Sequence, residues 1–344
     1  MKKFFLFAVA LVGTMLAHAQ ISDGVTATLL NGETTTVFYG SDSFKDAVQA
    51  APDAGAMITL SPGAFSNPGD ISKSLKIYGS GFLKDGDISE TRVLGDLTIT
   101  STDEITPTVR AEGIYFTGHV TVKGTKIISN TEIIKCSFES FYNSVETNNT
   151  IIRQCYVRGS INGQNNKASA FVVANCWTPQ ITGFSNACSV TVTNCILSGN
   201  CTHSVAVYQN NLIYKYYYNW EDRRQIQSGS TCYNNIAHQY CLEYDGVNNC
   251  SGNYYLPDKW GEILKDGQAN LNFFLTDTST PRTWELADPT TYVGTDGTPC
   301  GVTGGDFPWN PIPATPRILS TSVDAKFEAG KLKVTIKAEA RPLE

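Results

Sequence analysis

Apolar and polar residues repeat at a regular interval through the middle of the chain. Cys136, Cys155, Cys176 and Cys195 recur after 19, 21 and 19 residues, and each follows a short apolar run. The third residue before each cysteine and the second after it are apolar, except Thr178. In one straight strand these two positions would face opposite ways. The pattern therefore predicts two strands joined at a corner just before the cysteine. The apolar positions are Ile133, Ile152, Val173, Val192, Phe138, Val157 and Leu197.

The residue before each cysteine is the predicted corner. Asn175 and Asn194 suit it, because asparagine tolerates left-handed backbone angles. The same pattern of apolar and corner residues recurs at residues 111–116, 209–212, 233–236 and 247–250. The last of these copies lies 14 residues after the copy before it. That step is too short for a full turn, which indicates that regular stacking ends there.

A strand, a corner and a second strand about every twenty residues describe a chain that coils on itself. Each position then lies above its equivalent in the previous coil. Propeller blades need roughly twice this repeat length, and leucine-rich repeats would show a leucine framework. We therefore predict an all-β, single-stranded parallel β-helix, or solenoid, over residues 20–310.

Both ends of such a solenoid need covering, because an open end exposes apolar side chains and unpaired strand edges. Residues 43–51 predict a short N-terminal capping helix with Ser43 as its N-cap. Residues 311–344 predict a C-terminal β-hairpin-like tail of two strands, 318–321 and 332–336. The prolines that predict a stiff linker ahead of this tail are Pro311, Pro313 and Pro316.

The N-terminal residues also resemble a known family. Residues 42–51, followed by residues 57–65, resemble the opening cap of pectin-lyase-like right-handed parallel β-helix proteins, and residues 75–79 resemble their first full turn. The resemblance covers roughly residues 35–310, implies a right-handed coil, and is carried by turn and packing residues, so it specifies a fold and not a reaction. The segments that resemble the closing turn of secreted members are 284–286, 294–297 and 301–305.

Residues 1–19 have the features of a signal peptide. Lys2 and Lys3 precede an apolar stretch, and Ala17-His18-Ala19 forms a small-x-small cleavage site. We expect a secreted, periplasmic or cell-surface protein without a membrane span, since no apolar segment reaches eighteen residues. The 26 basic against 32 acidic residues give a formal net charge of -6, which disfavours nucleic acid as a partner.

Catalytic members of the resembling family provide a test for activity. Polygalacturonase-like hydrolases use paired carboxylates, and pectate-lyase-like enzymes bind calcium through clustered aspartates. This chain has partial matches at residues 118–120 and 130–132, and no Asp between Asp103 and Asp222. We therefore expect no acidic pair on adjacent coils, no metal site and no cofactor. We favour a non-catalytic function in glycan binding, adhesion or structure. We expect the protein to be a monomer whose partner is a polysaccharide or a cell-surface glycan.

The alternative is a polysaccharide lyase or glycoside hydrolase that acts on an acidic polysaccharide at a non-standard site. Basic residues crowd the central coils, where acids are few, and a shared face would make them a cationic groove. The other interpretation is that they are solvated residues of outer faces and loops. The basic residues chosen as binding candidates are Lys123, Arg153 and Arg158.

An aromatic cluster supplies the remaining binding candidates, Tyr216, Tyr217, Tyr218 and Trp220. Three consecutive tyrosines cannot all face the core of one strand, so some are exposed. Sugar rings stack on such side chains, which predicts a glycan platform. The alternative is that these residues cover the open end of the solenoid.

All ten cysteines follow the signal peptide, where oxidation is possible. In stacked coils the four repeat cysteines fall within bridging distance, but their side chains point the same way, which would strain a disulfide. We predict an inward, reduced ladder of thiols. The sequence leaves open the redox state of Cys188, Cys201, Cys232, Cys241, Cys250 and Cys300.

Overall fold

The computed structural model describes residues 24–86, 88–185, 187–199, 201, 204–213, 226–237, 239–242, 248–256, 263–265, 284–314, 317–323 and 334–339. Over these residues the chain forms a parallel β-solenoid of about eight turns. The predicted signal peptide, residues 1–19, lies outside this range. None of the described helices is long and apolar enough to cross a membrane.

Three sheets form the sides of the solenoid. In spatial order, the described strands of sheet A are Thr34–Tyr39, Thr26–Asn31, Ala56–Leu60, Leu75–Tyr78, Val109–Glu112, Ile128–Ile134, Thr147–Arg153, Ala168–Ala174, Val190–Thr193, Val207–Gln209, Thr231–Tyr233 and Asn249–Ser251. Those of sheet B are Gly63–Ser66, Thr91–Leu94, Tyr115–Phe116, Ser137–Phe138, Tyr156–Val157, Trp177–Thr178, Ile196–Leu197, Leu212–Ile213, Ile236–Ala237 and Tyr254–Tyr255. Those of sheet C are Asp70–Ile71, Leu97–Ser101, Val120–Gly124, Phe141–Asn143, Ser160–Asn162 and Gln180–Thr182.

The predicted corner joins each strand of sheet A to the next strand of sheet B. Lys135, Gln154, Asn175 and Asn194 have φ angles of 49°, 54°, 50° and 51°, which is left-handed backbone. The apolar positions on both sides of the corner are fully buried in one core along the solenoid axis. The parallel register of sheet A places Ile133 beside Ile152 and so stacks equivalent positions, as predicted.

The four repeat cysteines form a buried ladder just inside the corner, and all ten cysteines of the chain are thiols. Burial among apolar side chains raises the pKa of Cys136 to about 12, because a thiolate is poorly solvated there. Further along the axis, Asn211, Asn235 and Asn253 take the same position. The cysteine ladder therefore continues as an asparagine ladder.

The repeat assigned to residues 247–250 is wrong. Sheet A pairs Tyr233 with Ser251, and sheet B pairs Ile236 with Tyr254. The corner is therefore Gly252, with a φ of 65°, and stacking continues through this coil. In the two preceding coils asparagine occupies both the corner and the next position, as Asn210-Asn211 and Asn234-Asn235. The doublet Asn248-Asn249 has the same sequence outside a corner, which explains the wrong assignment.

The N-terminal cap is a helix, Ser43–Ala50, beside the antiparallel strands Thr26–Asn31 and Thr34–Tyr39. Its buried face carries Phe44, Ala47 and Val48. The predicted N-cap was one residue late, because Asp42 holds that position and makes no side-chain capping bond. Ser43 is instead a buried residue of the first turn. A second, single-turn helix spans Gln239–Leu242.

Residues 284–305 do not form a closing coil, which corrects the interpretation drawn from the resemblance. Residues 293–314, which we call the strap, run back along the corner from the last coils towards the N-terminal coils. Asn234 donates a hydrogen bond to the carbonyl of Val293, whereas the N–H of Ala314 donates to Glu112, many coils earlier. The corner residues that bond to the strap in between are Lys135, Gln154, Asn175, Asn194 and Asn210.

The strap also closes a second hydrophobic core on the outer face of sheet B. Tyr156 and Trp177 stack there with ring centroids 4.7 Å apart, and Trp284 is buried against this face. The segments 263–265 and 284–287 pair through Leu264 and Leu286 and complete the cover. Sheet B is therefore buried on both faces from Ser137–Phe138 to Ile236–Ala237, whereas sheet C has a solvated outer face.

The predicted C-terminal hairpin is present as two antiparallel strands, Arg317–Val323 and Val334–Glu339. The residues before it are not a free linker. Lys135 donates a 3.0 Å hydrogen bond to the carbonyl of Ile312, so the Pro311–Pro313 stretch is docked on the solenoid.

Candidate functional site

The outer face of sheet C carries a row of polar side chains on successive coils. Its residues are in register across the strands and alternate with buried apolar neighbours such as Val120 and Phe141. They are half-exposed or exposed, unlike the covered outer residues of sheet B. The row consists of Asp70, Thr98, Thr121, Tyr142, Asn162 and Thr182.

An aromatic pair lies at the centre of this face. The rings of His119 and Tyr142, on adjacent coils, have centroids 5.1 Å apart and planes inclined by 54°. The backbone N–H of His119 donates a 2.7 Å hydrogen bond to the Oδ1 of Asp96, which fixes the residue just before the strand Val120–Gly124. Nδ1 of His119 is buried and has no hydrogen-bond partner among the described residues. The pair therefore holds the half-exposed Tyr142 ring in place.

Arg158 lies at the edge of this face, between sheets B and C. Its Nε is 3.1 Å from Oε2 of Glu139, and its Nη atoms donate to Oγ of Ser137 and to backbone carbonyls of the preceding coils. The side chain is 15% exposed. Most of its donors are used within the protein, so Arg158 is mainly a structural cation. A shallow depression beside it is lined by Ser140, Ser160 and Gln180.

Lys123 lies at the opposite edge of the same sheet. Its Nζ is 2.9 Å from Oδ2 of Asp70, and the two side chains are 44% and 54% exposed. An exposed ion pair of this kind contributes little stability, about 0–1 kcal/mol. The pair can therefore open towards a ligand at low cost.

Arg153 is on a different side of the molecule. It ends a strand of sheet A, and its guanidinium lies 3.8 Å from the ring centroid of Phe307 in the strap. Burial lowers the pKa of Arg153. The three basic candidates thus do not form one groove, although two of them flank the outer face of sheet C. The four aromatic candidates, Tyr216, Tyr217, Tyr218 and Trp220, lie outside the described residues.

The expectation of no acidic pair on adjacent coils is wrong. Glu112 and Glu132 lie on adjacent strands of sheet A, and Arg110 binds both carboxylates at 2.7 Å. The Glu112 side chain is 3% exposed and accepts a hydrogen bond from the N–H of Ala314. A search limited to aspartate missed this pair. Arg110 holds both carboxylates, and Glu112 alone accepts the N–H of Ala314, so the pair anchors the strap end through Glu112.

The site gives no indication of a metal ion, since the described residues hold no cluster of three or more His, Cys, Asp or Glu side chains that fits one. Comparison with known proteins yields no matching family model, no matching curated protein and no matching solved structure. The function therefore has to be inferred from the geometry of this chain.

The sequence analysis selected neither Tyr142 nor His119 as a binding residue. Tyr142 is an outward residue of a strand that the cysteine repeat does not cover, and its register partner on the previous coil is Thr121. His119 lies one residue before the strand of Thr121, 23 positions ahead of Tyr142 in the sequence. Extending the coil spacing to the third strand of each turn would have aligned Tyr142 with Thr121 and revealed the polar row, but not the contact with His119.

Proposed function

We propose that this protein is an exported β-helix protein that binds a glycan on the outer face of sheet C without chemically changing it. The observation that carries the proposal is the His119–Tyr142 pair, whose tyrosine lies in a row of hydrogen-bonding side chains that are uncharged except for Asp70. We also infer that the coil is right-handed and that the fold is pectin-lyase-like, as the cap residues suggest.

The row matches the chemistry of a sugar chain. A sugar presents an apolar ring face, which stacks on an aromatic side chain such as Tyr142, and a rim of hydroxyls that donate and accept hydrogen bonds. Thr121 and Asn162 lie on the strands to either side of Tyr142 and supply both functions. Successive coils repeat at about 4.8 Å, so the face extends along the axis and suits a linear polymer.

Acid-base catalysis has little support on this face. A glycosidase needs two carboxylates free to act on the bond. Here Asp70 is paired with Lys123, Glu139 with Arg158, and Oδ1 of Asp96 accepts the backbone N–H of His119. Even if the exposed Asp70–Lys123 pair opens, Glu139 stays beside Arg158 at the opposite edge of the face. These carboxylates therefore do not form a pair free to act on one bond, which favours binding over turnover.

The second candidate is a polysaccharide lyase or glycoside hydrolase that acts on an acidic polysaccharide. One observation favours it, since Lys123 and Arg158 place a cation at each edge of the same face. An anionic chain lying across the coils would meet both.

A glycan array with the mature protein tests the proposal, together with an absorbance screen for unsaturated products on acidic polysaccharides. We expect binding without turnover. Tyr142→Ala should weaken binding at least about tenfold, the equivalent of 1.4 kcal/mol, with an unchanged melting temperature. Tyr233→Ala, a half-exposed tyrosine on the outer face of sheet A, is the matched control and should bind normally. Product formation would establish the enzyme instead.

A further inference from the structure

A separate cleft of about 630 Å³ lies on the sheet B side of the molecule, away from the outer face of sheet C. One wall is the loop 80–85, which follows an early strand of sheet A. The other walls come from the C-terminal part of the chain, namely Lys265, residues 285–289 and the strap. The cleft is therefore a composite of segments about 200 residues apart in sequence.

Trp309 of the strap forms the aromatic wall. The ring of Trp309 packs edge-on against that of Phe82, with centroids 6.2 Å apart and planes at 68°. The backbone N–H of Trp309 donates a 2.7 Å hydrogen bond to the backbone carbonyl of Val302. The residue is half-buried, so the ring is held in place while part of it lines the cleft. Such a fixed and partly exposed ring suits stacking against a ligand ring.

The charged side chains that line the cleft include equal numbers of cations and anions. Lys265 and Glu285 form an exposed ion pair of 2.8 Å at one side. Lys84 is exposed and Asp85 half-exposed at the other, so two cations and two anions line the cleft. Their charges cancel, which gives a charged ligand no net attraction. The rest of the lining is largely apolar and includes Leu83, Pro308 and Ile312, so the cleft combines apolar surface with a few hydrogen-bonding groups, as the ring and hydroxyls of a sugar require.

We propose that this cleft binds a neutral mono- or disaccharide, either as a free sugar or as the end of a polysaccharide chain. The ring stacks on Trp309, while the hydroxyls bond with Lys84, Asp85 and Glu285. The volume lies in the range of small-molecule sites, about 300–1,000 Å³. The choice of a glycan rests on the proposed function, but the cleft uses a different surface and different residues from the outer face of sheet C.

The composite walls link binding to the docking of the strap. A sugar in the cleft contacts the solenoid loop 80–85 and the strap together, so it binds the docked arrangement in preference to an undocked one. By mass action the ligand then stabilises docking. Saturating sugar should therefore slow the proteolytic cleavage of the strap.

The test uses maltose, cellobiose, xylobiose, mannobiose and diacetylchitobiose, each titrated into the protein with ¹⁵N-labelled indoles. The chain has 5 Trp, and Trp309→Phe identifies the resonance of Trp309. We expect at least one sugar to shift that resonance. Titration calorimetry with the same sugar should show that Trp309→Ala binds it about tenfold more weakly. Tyr142→Ala should leave the affinity within twofold. If no sugar shifts Trp309, or if Tyr142→Ala abolishes the shift, the proposal is wrong.

Trp309→Phe also serves as the folding control, because it keeps an aromatic ring against Phe82. A polymer of the bound sugar then separates the two ligand sources. If the polymer competes with the bound disaccharide in proportion to its number of chain ends, the ligand of the cleft is a chain end. If only the free disaccharide competes, the ligand is a free sugar. A shift of the Trp309 resonance without any polymer binding supports the sugar site in the cleft and contradicts the proposed role of sheet C. Polymer binding without a shift of the Trp309 resonance contradicts only the sugar site in the cleft.

Discussion

The backbone N–H of Cys195 donates a 2.8 Å hydrogen bond to Oδ1 of Asn211 in the next coil. One coil earlier, the N–H of Cys176 donates one of 3.4 Å to Sγ of Cys195. The side chains also donate alike, since Nδ2 of Asn211 bonds the carbonyl of Val192 and Sγ of Cys195 bonds the carbonyl of Val173. Cysteine thus performs, with longer and weaker bonds, the hydrogen-bonding task that asparagine performs in the later coils.

Exchanging the two residue types tests this equivalence. Cys176→Asn should keep the acceptor for the N–H of Cys155 and the donor for the carbonyl of Ile152. Cys176→Val fills a similar space but leaves that N–H unsatisfied, at a cost of about 1–3 kcal/mol. Urea unfolding should therefore rank the asparagine variant as the more stable. The opposite order would show that size alone governs this position.

The ladder thiols should be protected in the folded protein. Cys136, Cys155, Cys176 and Cys195 are fully buried, so a thiol reagent should not label them until the protein is denatured, and then without reductant. Half-exposed Cys188 is the internal control and should react in the native state. Peptide mapping identifies the labelled sites. Ladder cysteines that stay blocked until reductant is added would mean that the coils are cross-linked.

Buried thiols should make the protein sensitive to alkali. Burial raises the pKa of Cys136 and of Cys201 to about 12, against 9.0 for an unperturbed thiol. Between these values the unfolded chain loses the proton while the folded protein keeps it. The full contribution to stability is therefore present below pH 9 and declines as the pH rises towards 12, by about 1 kcal/mol per pH unit for each thiol.

Urea midpoints from pH 7 to pH 11 measure this decline. Cys136→Ser removes one titrating thiol, so its stability should fall less steeply with pH than that of the wild-type protein. Equal slopes would contradict the assignment to Cys136.

The strap should depend on the corner asparagines. Nδ2 of Asn175 donates to the carbonyls of Val302 and Gly304, at 3.0 and 2.7 Å. Asn175→Ala leaves these carbonyls without that donor and places alanine in left-handed backbone, with expected costs of about 1–3 and 1–2 kcal/mol. Asn175→Gly relieves the backbone cost and should fall in between. Unfolding in urea gives the values.

Asn165→Ala is the matched control for this series, because Asn165 is left-handed and exposed and has no strap contact. Its destabilisation measures the backbone cost alone. If Asn175→Ala costs no more than this control, the strap bonds add nothing to stability.

The aromatic cluster remains a prediction from the sequence. If it belongs to the glycan-binding surface, Tyr217→Ala and Trp220→Ala should weaken binding at constant melting temperature. A loss of several degrees would instead show that the cluster covers the solenoid end. Calorimetry on both variants, with ligand and without, separates these outcomes.

The coil could be predicted because its signals are local. The spacing of Cys136 to Cys195, the apolar positions beside them and the left-handed corner all lie within a few residues of each other, and stacking follows from their repetition. The cap helix and the C-terminal hairpin were equally local patterns. Packing confirmed the helix, which buries Phe44, Ala47 and Val48, and antiparallel pairing confirmed the hairpin.

The strap and the site could not be predicted in this way. The bond between Gln154 and the carbonyl of Pro308 joins residues 154 positions apart, and no repeat links them in sequence. The Gly- and Pro-rich sequence of the strap is compatible both with a coil of the solenoid and with a segment that lies along the coils, so it does not distinguish the two. The pairing of His119 with Tyr142 likewise depends on the length of the intervening coil, which sequence periodicity fixes only to within a few residues.

The strap alters how the solenoid unfolds. In a simple repeat array each coil contacts its neighbours alone, so end coils can fray while the middle persists. Here one segment bonds to seven successive coils, from the one containing Glu112 to the one containing Asn234. Loss of any of these coils also releases part of the strap and uncovers sheet B. The array is thereby converted from a chain of nearest-neighbour units into a single cooperative one.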